Sequence, residues 1–254
     1  MKRFFQGRNA LFVGVGVVAA GIAVALILVS VLGSGSSSTQ TASEPPAATN
    51  SGPGVTTTPG KAPGAAATAA LFAGIPQRLN QVGKADAKVT MVEFADPQCP
   101  YCRQFALDAL PAIVKEYVRT GKVKLIYFGI EVIGPNSEQG LRATYAAGLQ
   151  GKLWNFSDLL YKSQGAENSG WITDALLRQI GDSIPGFDTD KMMVDRNSSV
   201  VDAALAASSQ QASDAHVNQT PTFFAGPTGG RLQQIAVSSL TPDAFRPTLD
   251  SLTG

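Results

Sequence analysis

Two cysteines occur in the 254-residue chain, three positions apart in the run Cys99-Pro100-Tyr101-Cys102. A β-rich run, VTMVEFA at residues 89–95, precedes them, and an apolar stripe at helical spacing follows, so the pair falls at the start of a helix. There the two sulfurs lie on one side and can approach each other. Pro100 takes the first helical position, where its missing N–H costs nothing. Cys99 occupies the cap, where free backbone N–H groups and the positive end of the helix dipole stabilise a thiolate. Cys102, one turn inside, lacks that help. The spacing predicts an exposed, acidic thiol at Cys99 and a buried, resolving thiol at Cys102. A static disulfide or half of a metal site would use the same spacing. A static bridge across so short a loop removes little unfolded-state entropy, which favours redox exchange.

Three further residues could take part. Glu93, six positions before Cys99, is the one strongly polar residue in its run. If burial raises its pKa toward neutrality it could accept the Cys102 proton; alternatively it pairs with a lysine for structure alone. Asp96 reads as a turn residue that could also tune the thiol. His216, the single histidine, could serve as a local base, complete a Cys/Cys/His metal site, or face solvent in a loop.

Several elements must position these groups. Residues 89–95 and 123–128 read as strands covered on both faces. Pro111 should kink the helix between them by freeing the carbonyl of Leu107. A long helical region opens at 135–137, where Asn136 and Gln139 resemble a capping box. Further helices are expected at 173–180, 189–195 and 199–212, strands at 222–225 and 231–237, and a closing helix at 241–252 with Thr241 as cap and Pro242 at its first position. Trp154 and Trp171 read as packing residues of the helical block.

The stretch GIPQRLNQVGKADAKVTMVEFADPQCPYC, residues 74–102, resembles the start of a DsbA-like thioltransferase domain of the thioredoxin superfamily. GLQGKLWNFSDLLY, residues 148–161, resembles that family's helical insertion, and NQTPTFFAG, residues 218–226, its active-site cis-proline segment. The likeness covers nearly all of residues 74–252. It implies a thioredoxin-like α/β fold with a mostly helical insertion at about 136–213. It also implies a nucleophilic Cys99, a resolving Cys102, and a cis-proline at Pro221 facing them. The backbone of Thr220 would pair with an extended substrate segment, and Glu93 stands where the superfamily places a buried acid. Gln219 departs from the glycine common there. The implied activity is thiol–disulfide exchange, most simply disulfide donation to exported proteins with cysteine thiols, with a quinone-linked membrane oxidase regenerating the pair and no organic cofactor. A reductase or isomerase would use the same residues. A metal-binding chaperone built on Cys99, Cys102 and His216 is disfavoured, because copper carriers on this fold generally have one more residue between the cysteines.

The rest of the chain supplies an address. Lys2, Arg3 and Arg8 precede residues 11–32, which carry no charge. Twenty-two helical residues would span roughly 33 Å, enough to cross a bilayer, and the preceding cations place residues 1–10 in the cytoplasm. A cleaved signal peptide is the rival reading. Of residues 33–70, 33 are Gly, Ser, Thr, Pro or Ala, the composition of a flexible linker. Residues 71–254 form the folded domain, which is therefore expected outside the cytoplasm on a single-pass membrane anchor. With 16 Lys+Arg against 18 Asp+Glu, that domain has no basic surface for nucleic acid. Two cysteines exclude a disulfide-dense scaffold and a four-cysteine zinc site within one chain.

Overall fold

The β-branched and aromatic run at residues 89–95 forms the axis of a six-stranded sheet in the computed structural model, which describes residues 60–254. Strand β1 is Gln77–Arg78, β2 Gln81–Val82, β3 Val89–Ala95, β4 Val123–Gly129, β5 Thr222–Pro227 and β6 Gln233–Gln234, in the spatial order β1-β2-β4-β3-β5-β6. β3 pairs parallel with β4 from Val89↔Val123 to Ala95↔Gly129, and antiparallel with β5 from Val89↔Pro227 to Phe94↔Thr222. Every residue of β3 and β4 is buried, as expected of largely apolar strands covered on both faces, with Glu93 and Lys124 the buried charged exceptions. Alternation sorts β3 between two apolar layers. Val92 and Phe94 join Phe128 and Phe224 on one face, while Met91 and Ala95 join Cys99, Cys102, Phe105 and Phe245 on the other. Glu93 falls in register with Met91 and Ala95, on the cysteine face.

Helix α1 spans Ala65–Phe72, α2 Pro100–Asp108 and α3 Leu110–Ile113; a single π turn at Val114–Val118 follows. The helix after the cysteines breaks at Ala109, close to the expected Pro111 kink. Between β4 and β5 lie α4 (Asn136–Leu149), α5 (Leu153–Lys162), α6 (Asp174–Asp182), α7 (Thr189–Asp195) and α8 (Ser199–Asp214); α9 (Pro242–Thr253) closes the chain. Thr173, Asp188 and Ser198 cap α6, α7 and α8 by accepting backbone N–H groups.

Three local expectations are corrected. The linker reading runs too far, since α1 begins at Ala65 and buries Phe72. Alanine suits a helix as well as a linker, and Thr68 and Arg119 dock this one. The Thr68 hydroxyl bonds to Asp158, and the Arg119 guanidinium donates to the carbonyls of Ala70, Leu71 and Ala73. The capping box at Asn136 does not form, because Pro135 already has helical backbone angles and holds the cap position. Thr241 holds the α9 cap with Pro242 in the first turn, as expected, and its hydroxyl pairs with Ser239. The strand expected over 231–237 contracts to Gln233–Gln234, both exposed at the sheet edge. Among the described residues no helix is long and apolar enough to cross a membrane; the anchor reading for 11–32 lies outside them.

Candidate active site

Helix α2 starts as the sequence requires, with Pro100 in its first turn and Cys99 at the cap in extended conformation (φ −69°, ψ 120°). Both cysteines are free thiols. Cys102 is fully buried, as expected from its place one turn inside. Cys99 is not the exposed thiol expected, being only 2 % accessible. The loop before β5 covers it: the Cys99 thiol donates to the Thr220 carbonyl at 3.3 Å, across 121 residues of chain. The Thr220-Pro221 peptide is cis. Tyr101, between the cysteines, is 63 % exposed and marks the outer side of the pair.

The two thiols differ in acidity. The Cys99 pKa is lowered to about 6, first by a hydrogen bond from Cys102. Burial opposes that shift, while the Thr220 side chain and the backbone N–H groups of Cys102 and Tyr101 assist it. Burial pushes the Cys102 thiol well above the ordinary range, and its bond to Cys99 adds to the rise. Glu93 lies beneath the pair, 4 % exposed, with its Oε1 buried and lacking a hydrogen-bond partner. Burial, with a smaller contribution from the negative charge of Cys99, raises its pKa to about 8. Among the described residues no lysine or arginine pairs with Glu93, which removes the support for a structural ion pair. Tyr127, opposite Glu93 in the β3–β4 register, and Tyr161 are buried neighbours that burial keeps as neutral phenols.

Asp96 is more than a turn residue. It is fully buried and accepts four hydrogen bonds: Oδ1 from Gln98 N (2.8 Å) and the Ser137 hydroxyl (2.6 Å), Oδ2 from Val132 N (2.7 Å) and Ile133 N (2.9 Å). Its backbone carbonyl accepts from Cys99 N at 3.0 Å. The carboxylate thus ties the cysteine loop to the loop after β4 and to the start of α4. Gln98, 1 % exposed, continues the network through its amide to Ser137 (2.9 Å) and Asn168 (3.2 Å). Gln164 reaches the carbonyls of Pro97 (2.8 Å) and Cys99 (3.1 Å). Sequence reading missed Gln98, Ser137, Gln164 and Asn168. Only the adjacency of Gln98 to Cys99 could have pointed to one of them.

Cys99, Cys102, Glu93, Thr220 and Pro221 are brought to one end of the sheet. β3 runs toward that end and the antiparallel β5 starts from it, so Cys99 and Pro221 follow and precede neighbouring strands. His216 is not gathered in. It is exposed, in left-handed backbone (φ 54°), and among the described residues no three His, Cys, Asp or Glu side chains group as a metal site. Trp154 packs in the core and bonds to the Asn80 carbonyl, while Trp171 packs against the core edge.

The family model described as thioredoxin matches residues 78–250. A probable disulfide bond formation protein D of Bacillus cereus is 33 % identical over 146 residues, covering 56 % of this chain and 68 % of the relative. The disulfide bond formation protein D of Bacillus subtilis is 30 % identical over 145 residues, covering 56 % and 65 %. Among solved structures, oxidised BdbD from Bacillus subtilis superposes with a TM-score of 0.60 at 22 % identity, over 71 % of this chain and 98 % of that one. That structure speaks for the fold. The fold, the paired cysteines at a helix start and these relatives agree: the chain belongs to the thioredoxin superfamily, as a DsbA-like thiol–disulfide oxidoreductase.

Proposed function

We propose that the chain donates disulfides to exported proteins. The observation that carries this reading is the unequal pair at the start of α2: a Cys99 pKa lowered to about 6 beside a Cys102 raised well above its usual value. With the pair oxidised, a substrate thiolate attacks the Cys99 sulfur, the Cys99–Cys102 bond breaks, and Cys102 leaves with the electron pair. Glu93, protonated at neutral pH and buried beneath the pair, gives Cys102 a proton and takes it back when the pair is reoxidised. A second substrate thiolate then attacks the substrate sulfur of the mixed disulfide and expels Cys99 as a thiolate. Two electrons pass from the substrate dithiol to the cysteine pair. Once Cys99 has lost its proton it no longer donates to the Thr220 carbonyl, which becomes available to an extended substrate segment beside Pro221.

A thiolate stabilised by about three pKa units corresponds to roughly 4 kcal/mol, or on the order of 90 mV toward the oxidising side for a two-electron couple. The relatives named for disulfide bond formation support the same direction. The test equilibrates the full-length chain with glutathione buffers and then offers the oxidised form to a reduced, unfolded protein. An oxidising potential with net disulfide transfer is expected. A potential near that of cytosolic reductants, without transfer, would assign the same residues to a reductase.

The exchange site is proposed to work outside the cytoplasm, held by residues 11–32 and regenerated by a quinone-linked membrane oxidase. The uncharged run behind three cations supports the anchor. Fractionation of cells making the full chain should recover it in the membrane; a trimmed, soluble main product would mean signal cleavage.

A further inference from the structure

We infer that Gln164 is a positioning residue for the exchange reaction: its amide holds the carbonyls on both sides of Gln98 and so fixes how Cys99 sits at the start of α2. The inference rests on the reading of Cys99 as the attacking and leaving sulfur.

Gln164 is the second residue after α5, in the loop that leads to α6. Its Nε2 donates to Pro97 O at 2.8 Å and Cys99 O at 3.1 Å, so both of its amide hydrogens are engaged. The Cys99 carbonyl also accepts Arg103 N at 3.1 Å, the first bond of α2. Gln164 therefore acts on the peptide where the extended segment turns into the helix. The same loop grips the residue between its two acceptors. Asn168 N donates to Gln98 Oε1 at 2.7 Å, Gln98 Nε2 returns a bond to Asn168 Oδ1, and Asn168 Nδ2 donates to Ile133 O at 3.1 Å. Asn168 adopts left-handed backbone (φ 53°), which asparagine tolerates better than most residues. Gly165 lets the loop fold against Trp171, for a Cβ there would lie 2.8 Å from that side chain.

Three consecutive residues, 97 to 99, are thus held by one short loop of the helical insertion. No strand partner does this, because β3 ends at Ala95. The direction of the Cys99 carbonyl is set by its ψ, and ψ also decides whether the N–H groups of Tyr101 and Cys102 face the Cys99 sulfur. Binding that carbonyl fixes both. It also offsets the negative end of a dipole close to the thiolate, so the donor helps the charged form more than the neutral one.

The experiment compares the full-length chain with Gln164→Met, which keeps length and volume without a donor, and with Gln164→Ala. The readouts are the thiolate titration of the reduced protein by ultraviolet absorbance, the glutathione equilibrium and the unfolding temperature. In both variants the thiolate midpoint should rise by about half a unit to one unit, and the glutathione equilibrium should move about three- to tenfold toward the oxidised protein. A folded Gln164→Met chain with the wild-type midpoint and equilibrium would overturn the inference, even if it melts earlier, because that pattern belongs to a structural role alone. A wild-type Cys99 that titrates as an ordinary thiol would instead overturn the assignment of Cys99, and the inference with it.

Discussion

Burial holds the Glu93 proton while the start of α2 expels that of Cys99, so folding changes the protonation of the two in opposite senses. Between an unfolded value of 4.5 and a folded value of about 8, the native chain keeps a Glu93 proton that the unfolded chain has lost. Stability therefore falls as pH rises through that window, by up to about 1.4 kcal/mol per unit. Between about 6 and 9.0 the native chain lacks a Cys99 proton that the unfolded chain keeps, and this contribution rises with pH. In the reduced protein the two oppose each other from about 6 to 8. In the oxidised protein Cys99 has no proton to lose, so the decline due to Glu93 stands alone. Urea unfolding of the oxidised protein across pH 5 to 8 should show that decline in the wild type and a flatter profile in Glu93→Gln; equal slopes would remove Glu93 from the site. The place of Glu93 was legible from the family resemblance, which sets a buried acid there, and the alternation of β3 in the structure puts it on the cysteine face. The near-closure of Cys99 was not, because its cover comes from Thr220, 121 residues away.

At the scale of elements, Asp96 joins the end of β3, the loop after β4 and the start of α4 through its four accepted bonds. Asp96→Ala would strand three buried or part-buried N–H groups and a hydroxyl, each costing about 1–3 kcal/mol, though not additively. A loss of about 3–5 kcal/mol in urea unfolding is expected. Asp96→Asn should recover little, because its NH2 would face two of the same donors. A loss below about 1 kcal/mol in either variant would show that the loops are held by other contacts. What sequence could read at this scale was what neighbouring residues decide: Pro100 opening α2 and the break near Pro111. It could not read Asp96, three of whose four donors lie 36 to 41 residues onward and follow no periodicity. It overextended β6, because an edge strand is limited by pairing and not by its own residues. It lost α1 for the opposite reason, since a buried anchor on Asp158 is invisible in an alanine-rich run.

Across the whole molecule, the strand order places β3 between parallel β4 and antiparallel β5, and the five helices α4 to α8 separate those flanking strands in the chain. The resemblance of three separated blocks made this architecture legible before any element was placed, while the polar bonds between blocks stayed hidden. The long return from Cys99 to Thr220 also sets a timetable. A chain emerging from its N-terminus presents both cysteines well before β5 exists to flank them. A nine-residue α2 is marginal in isolation, and without its docked first turn nothing directs backbone N–H groups at the sulfur. With an ordinary value of 9.0, about one Cys99 in a hundred would be ionised at pH 7; at about 6, roughly ten in eleven would be. The reactive sulfur is therefore dormant in the growing chain and armed when the first turn of α2 is held in place, so the molecule cannot trade disulfides at full rate until folding has fixed that turn.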